Sequence, residues 1–519
     1  MNILNKKSIL QKTVQVGSST LLSRILGLVR ESFLAHYLPL GPISDAFFSA
    51  YKIPNSLRKI FAEGALSAVF IPTIVGLEKN GSRKEINSLM TLSFLVFEGF
   101  LLLLCVLVLF KTDTIVWLTT PGFTAQQIEF TAPLLKILIF FIVFLSSSSL
   151  MAGALQSVHH FFIPAFGPVF LNIIFILGIV FGIWFELPVT FLCYAILFGG
   201  LVQFLLHLYM YLKLRFSFAP IDRIAIKNFK GVLKRFFPIL FSMSIMEIIL
   251  FIDEGLASYL PAGSISLIYY SNRFMGIPLG VFATAFSTIL LPHFSRISTY
   301  APSRLSFYLL ESTKLIFWVT VPVTVLMSFF ADKIFITLFL SKKFPMERVF
   351  EAQPILIAFT LGLFFFSINK ILISVYYALH DTYIPTAISV VVTLVNLALN
   401  LLLMRYFQAT GLAIAMTISL GVLQTILLSG ILFKKHNLTI YPKHLIKFFI
   451  KYLIQLVVTL AGFFFVYMIA NNLISKLPFA NFFLNKVGFW LWVGPLCLLM
   501  FYLLYRSKKL FGVQLYFLD

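Results

Sequence analysis

The sequence predicts an all-α polytopic membrane protein, and three observations predict it. Of 519 residues, 60% are hydrophobic and 11% charged, with a mean hydropathy of +0.97. A soluble domain of this size would have too few polar residues to cover its surface. Apolar runs long enough to cross about 30 Å of hydrocarbon recur along the whole chain. The net charge of +21 lies largely in the short connections between those runs, as the positive-inside rule requires, and not in a nucleic-acid-binding patch.

About fourteen transmembrane helices are expected, at roughly 14–38, 44–76, 88–110, 130–157, 163–185, 188–212, 237–261, 265–295, 305–331, 352–379, 383–405, 410–433, 446–472 and 484–505. The N-terminus has lysines but no apolar core ending in a cleavage site, so it reads as a retained lead-in to span one. Lys6, Lys7, Lys12, Lys79, Arg83, Lys84, the run Lys213 to Arg235, Lys434, Lys435, Lys443 and Arg506 to Lys509 share one side. The other holds mainly Lys333, Lys342, Lys343 and Arg348, offset by Asp332, Glu347 and Glu351. Both termini are therefore expected in the cytoplasm. Cys105, Cys193 and Cys497 fall in separate spans without metal or disulfide spacing.

The basic connection from Lys213 alternates apolar Ile221, Ile224, Ile226, Phe229, Val232 and Leu233 with Arg223, Lys227, Lys230, Lys234 and Arg235, a pattern for a linker helix on anionic headgroups. An internal repeat flanks it. "AEGALSAVFIP" (62–72) aligns without gaps on "FATAFSTILLP" (282–292), and each closes the second span of its half. The expected organisation is an N-lobe at 1–212, an amphipathic cytoplasmic linker at 213–236, a C-lobe at 237–436, and two further spans at 437–519. The lobes are pseudo-symmetric six-helix units, parallel repeats with substrate between them.

The charges inside the spans are the functional signal. At 100° per residue, Gly17, Thr20, Arg24, Gly27 and Glu31 fall within about 80° on span one, with Ser23 and Arg30 at the border. Span two opens with Asp45 and carries Lys52, Arg58, Lys59 and Glu63. Further charges are Glu98, Glu247, Asp253, Glu254, Arg273, Glu311, Lys314 and Lys370. Charges near span ends can snorkel, Glu311 and Lys314 read as a local i,i+3 pair, and Glu63 can neutralise Lys59 at i+4. Each central charge costs about 2.5–3.5 kcal/mol on insertion, so Arg24, Arg58, Lys59, Arg273 and Lys370, from four spans across both halves, make a poor accident. They suit a cationic cavity for an anionic ligand, and arginine's fork matches phosphate. No nucleotide-binding loop, zinc-protease motif, paired DDxxD or nucleophile elbow competes. His159–His160 lack further ligands nearby in sequence and read as interfacial, so no metal site is expected. "SSSS" at 146–149 reads as a helix-packing patch.

"SRILGLVRE", "DAFFSAYKIPNSLRKIFAEGALSAVFIP", "TTPGF" and "YYSNRFMGIPLGVFATAFSTILLP" together resemble the MurJ/MviN lipid II flippases of the MOP exporter superfamily, in order along essentially the whole chain. The resemblance implies a transporter, not an enzyme. It would move an undecaprenyl-pyrophosphate-linked peptidoglycan precursor from the inner to the outer leaflet of the bacterial inner membrane. It implies two six-helix lobes around a central cationic cavity, and two C-terminal helices forming a groove for the lipid tail. It places Arg24, Arg30, Arg58, Arg273 and Lys370 among the substrate-binding residues. Lys59 stands where related members can have a second arginine, keeping charge but losing the fork. Asp45 and Glu63 match the family's span-two acids, read as gates or charge balancers. Asn272 stands where aspartate can precede the span-eight arginine, which removes an ion pair there. A flippase for another isoprenoid-linked glycan of the O-antigen type shares nearly all this physics. A drug exporter of the superfamily would want a cavity of carboxylates and aromatics, and a scaffold for cell-wall enzymes would need no cationic cavity.

The expected partners are lipid II, membrane lipids and cell-wall synthesis enzymes, with no nucleic acid, and the expected state is a monomer. No cofactor is expected. The membrane potential favours outward movement of negative charge, and a counter-ion such as Na⁺ or H⁺ at Glu98, Glu247, Asp253 or Glu254 is compatible with the sequence but not required by it.

Overall fold

A computed structural model describes residues 6–66, 69–70, 73–74, 76–77, 82–158, 160–436, 438 and 442–518. His159, and positions 67–68 and 71–72 of the first repeat copy, lie outside the described residues. Among those described there is no β-strand, and one isolated bridge pairs Ser341 with Phe344. Among the described residues, nine helices are long and apolar enough to cross a membrane. The described residues of expected spans one, two, seven and eight are largely helical but are not among these nine, and these spans carry most of the in-membrane charge. The 53-residue run Tyr383–Lys435 is not one rod. Gln408 has φ 48°, and a Cβ on Gly411 would lie 2.3 Å from Leu403 O. The chain folds back on itself there, and only glycine permits the approach.

The chain forms two compact units, Met1–Ser266 and Leu267–Asp519. The first contains α1 (Lys6–Tyr37), α2 (Pro42–Leu57), a π-helical segment Arg58–Leu66, α3 (Arg83–Phe110), α4 (Thr112–Thr119), α5 (Ala125–Leu138), α6 (Phe141–Ser157), α7 (Phe162–Trp184), α8 (Val189–Lys213) and α9 (Arg223–Ala257). Their starts follow local chemistry. Gly41, at φ 151°, precedes Pro42 at the first helical position, and Gly41 N–H donates to Ser44 Oγ at 3.0 Å. Thr124 and Gln127 form a capping box on α5, and Asp222 accepts from Ala225 N–H at 2.6 Å to start α9. The basic connection enters α9 at Arg223 and continues into span seven without a break. Its buried stripe is Ala225, Phe229, Val232 and Phe236, while Ile221, Ile224 and Ile226 are exposed.

The second unit contains α10 (Ser264–Pro278), whose first turn still belongs to the first unit, a π-helical segment Leu279–Thr284, α11 (Ala285–Tyr300), α12 (Leu305–Phe329), α13 (Ala331–Phe339), α14 (Met346–Leu361), α15 (Leu363–Ala378), α16 (Tyr383–Met416), a third π-helical segment Thr417–Leu423, α17 (Gln424–Lys435), α18 (Pro442–Ser475), α19 (Ala480–Leu484) and α20 (Lys486–Ser507). The π-helical segments at 58–66 and 279–284 overlap when the two repeat copies are aligned. One apolar core joins Phe294, Leu309, Ile371, Val375, Val392 and Leu428. α18 docks on α12, where Tyr452 Oη donates to Trp318 O at 3.0 Å, and on α20, where Gln455 Nε2 donates to Leu504 O at 2.6 Å. The Glu311–Lys314 pair forms at 2.6 Å as its spacing suggests, and Glu311 also accepts from Tyr516 N–H at 3.1 Å, holding the C-terminal tail.

Candidate functional site

Two ion pairs knit the second span to α9. Lys52 Nζ lies 2.5 Å from Glu254 Oε2, and Lys59 Nζ lies 3.1 Å from Glu247 Oε1. The lysines are seven residues apart, as are the acids, and the pairing order reverses, so the two helices run antiparallel with charges meeting every second turn. Ser56 Oγ donates to Glu247 Oε2 at 2.6 Å, and Lys52 also donates to Leu250 O. Hence Lys59 takes its partner from α9. The Glu63 side chain lies outside the described residues.

Arg58 and Lys59 open the π-helical segment, a geometry frequent at functional sites because it re-aims side chains. Arg58 Nε and Nη2 reach Asn55 Oδ1 at 3.1 and 3.0 Å. Arg58 is half-buried, and the Lys59 side chain is 40% exposed. Both can therefore present charge to a ligand without first leaving a sealed core.

On α1, Arg24 and Arg30 differ. Arg24 is exposed. Arg30 is buried, 2.5 Å from Glu31 Oε1, donating to Asn172 Oδ1 at 3.0 Å and lying over the Phe175 ring. Asn172 Nδ2 donates to Ser23 O at 3.2 Å, so one α7 side chain clamps two turns of α1. Asp45 is also buried and committed: it accepts from Gly263 N–H at 2.6 Å, Ser266 N–H at 2.9 Å and Ser266 Oγ at 2.6 Å. Its charge is met by backbone N–H groups at the start of α10, where a helix favours an anion.

In the second unit, Arg273 and Lys370 are exposed and Asn272 is half-buried. Beside Lys370, Asn369 is buried and donates to Leu420 O at 2.8 Å. The structure therefore brings Lys59 to Glu247 next to Arg58, seals Arg30 and Asp45 in local networks, and leaves Arg24, Arg273 and Lys370 exposed. From sequence, Glu247 and Glu254 were read only as acids compatible with a counter-ion, and Asn172 was assigned no role. Their partners are more than a hundred residues away, and the only cue was an ionisable or amide side chain inside an apolar run.

The fold and these charges within apolar helices define a polytopic helical membrane protein, and its fold is shared with solved transporters of the MOP superfamily. An inward-facing multidrug resistance MATE transporter of that superfamily matches in fold alone, with TM-score 0.67 and 14% identity over 80% of this chain and 94% of that one. A solved lipid II flippase MurJ in an inward closed conformation matches with TM-score 0.76 and 26% identity, covering 96% of this chain and 98% of that one. The family model "Lipid II flippase MurJ" matches residues 34–487. A probable lipid II flippase MurJ of Buchnera aphidicola is 33% identical over 424 residues, 79% of this chain and 81% of that protein. The lipid II flippase MurJ of Burkholderia cenocepacia is 31% identical over 415 residues, 78% of this chain and 80% of that protein. The chain belongs to the MurJ family of lipid II flippases.

Proposed function

We propose that this protein is a transporter that flips lipid II, the undecaprenyl-pyrophosphate-linked peptidoglycan precursor, from the inner to the outer leaflet of the bacterial cytoplasmic membrane. The observation that carries the reading is the family match across 34–487, joined to cations that stay accessible within apolar spans. Arg24, Arg58, Lys59, Arg273 and Lys370 line the path of the pyrophosphate, with arginine forks gripping its oxygens. The two repeats act as lobes that alternate access, the last two spans hold the lipid tail, and both termini face the cytoplasm. Arg30, Asp45 and Glu63 belong to the supporting charge network around that path.

Energy comes from the membrane potential. Moving each net negative charge outward is downhill by about 2.3 kcal/mol per 100 mV, and returning an empty cationic cavity inward is favoured by the same field. The test is complementation: this gene should restore growth to cells depleted of their lipid II flippase. Failure to rescue at normal membrane levels, with rescue of an O-antigen flippase defect instead, would reassign the substrate.

A further inference from the structure

Glu98 differs from the other buried acids described in the first unit. Glu247 is held by Lys59 and Ser56, Glu254 by Lys52, Asp45 by backbone N–H groups, and Glu31 by Arg30. Glu98 has no such partner. It sits in the middle of α3 in the apolar run "FLVFEGFLLLL", 5% exposed, and neither carboxyl oxygen has a hydrogen-bond partner. From α6, the hydroxyls of Ser146 and Ser147 face it. Both serines are buried, and Ser146 Oγ is likewise unpartnered. A serine alone in a helix usually bonds back to its own backbone, as Ser148 does to Phe144 O at 2.8 Å. Ser146 does not, and so keeps its oxygen available toward the carboxyl.

α3 packs on α4, α6 and α9, and on the second span, whose Phe61 meets Phe100 and whose Phe70 meets Phe97 on either side of Glu98. Cys105, two turns along α3, is a buried neutral thiol that donates to Ile139 O at 3.5 Å. At this level α9 presents Phe229 and Phe236, both against Phe97, while its Lys227, Lys230, Lys234 and Arg235 are exposed. On α4, Asp113 is exposed. Among the described residues nothing cationic neutralises Glu98, and an isolated carboxylate is not tolerated in so apolar a place without a compensating charge.

We propose that Glu98, Ser146 and Ser147 form a binding site for one monovalent cation, a proton or Na⁺, inside the first unit. A proton makes the carboxyl a donor to a serine hydroxyl, and Na⁺ takes the carboxylate and hydroxyl oxygens as hard ligands. With a single carboxylate and no other anion, a divalent ion is poorly matched. The site stands on its own geometry. Only its use in a transport cycle rests on the flippase reading.

Infrared difference spectroscopy on the purified full-length protein tests it without any lipid II. Wild type is compared with E98Q and with S146A/S147A, in Na⁺ and in choline, across a pH series. A protonated-carboxyl band that titrates with pH, is lost in E98Q and shifts in S146A/S147A identifies a proton site. A carboxylate band that shifts between choline and Na⁺, with the same dependence on the variants, identifies a Na⁺ site. An E98Q-sensitive band that responds to neither pH nor Na⁺ overturns the proposal, as does the absence of any such band. Should E98Q not fold, the S146A/S147A protein gives the same decision, because it keeps Glu98 and must move the same band. Failed complementation would leave this result intact, so the two readings fail separately.

Discussion

The second span of the first unit and its counterpart in the second unit share a π-helical segment at aligned positions but are held in opposite ways. In the first unit, Lys52 and Lys59 meet Glu254 and Glu247 across the seam with α9. In the second, α11 packs on α15 through apolar side chains such as Leu290, Phe294, Leu372 and Val375, with neutral contacts such as Ser287 Oγ to Ser374 Oγ at 3.1 Å. An ion pair inside a membrane loses most of its worth when one partner goes, because the other charge is left stranded. An apolar seam loses only the packing of the atoms removed. The same duplicated scaffold thus carries one seam whose integrity is a matter of charge and one whose integrity is a matter of shape.

The largest expected effect lies in the accessible cations. Arg24→Ala, Arg58→Ala and Arg273→Ala should each abolish complementation of a flippase-depleted strain while membrane levels of the protein stay normal. Full growth of all three variants would remove the cationic path from the account. Next comes the charged seam. Glu254→Gln strands Lys52 and should lower stability by about 2 kcal/mol, read as a fall in Tm of the purified protein. The swapped variant Lys52→Glu/Glu254→Lys should recover part of that loss, and a double-mutant cycle isolates the pair. No recovery would mean that Lys52 acts mainly through Leu250 O. On the apolar seam, Phe294→Ala should cost about 3 kcal/mol by leaving a cavity, and no compensating charge change should restore it.

What the sequence disclosed follows from the range of the interactions. Apolar runs are local, so α7, expected at 163–185, spans Phe162–Trp184, and α12, expected from 305, starts at Leu305. The Glu311–Lys314 pair is one turn long and was equally readable. Lys59 was different: within one helix its visible partner was Glu63, whereas Glu247 arrives 188 residues later in the chain. Arg30 lay at the border of the polar face of span one, and only the approach of α7 brings Asn172 and Phe175 to it. Asp45 was read as a gate or charge balancer, and no one-dimensional pattern shows that the backbone at Gly263 and Ser266 comes to it. Charge in a membrane announces that a partner exists, and the tertiary fold decides which.

The smallest effect belongs to the turn after α15. Asp381 is partly desolvated, which works against its charge, but a 2.6 Å contact with Lys435, the Ile384 N–H and the charges of Lys435 and His436 outweigh that and hold its carboxyl below the ordinary range. A depressed folded-state value contributes stability above the unfolded value and loses it as pH falls through the folded one. Asp381→Asn should therefore lower Tm slightly at pH 7. The difference should vanish in acid below the depressed value, and a gap that persists there would assign the effect to packing.

The most direct measurement of the central claim is transfer of fluorescent lipid II across proteoliposomes holding this protein, under an imposed potential with pH and Na⁺ equal on both sides. The account predicts that the protein moves lipid II, faster when the lipid II-donating side is electrically negative, and that Arg58→Ala stops it. Transfer indifferent to the potential would contradict the energetic part of the account. Transfer undiminished in Arg58→Ala, Arg24→Ala and Arg273→Ala alike would contradict its core.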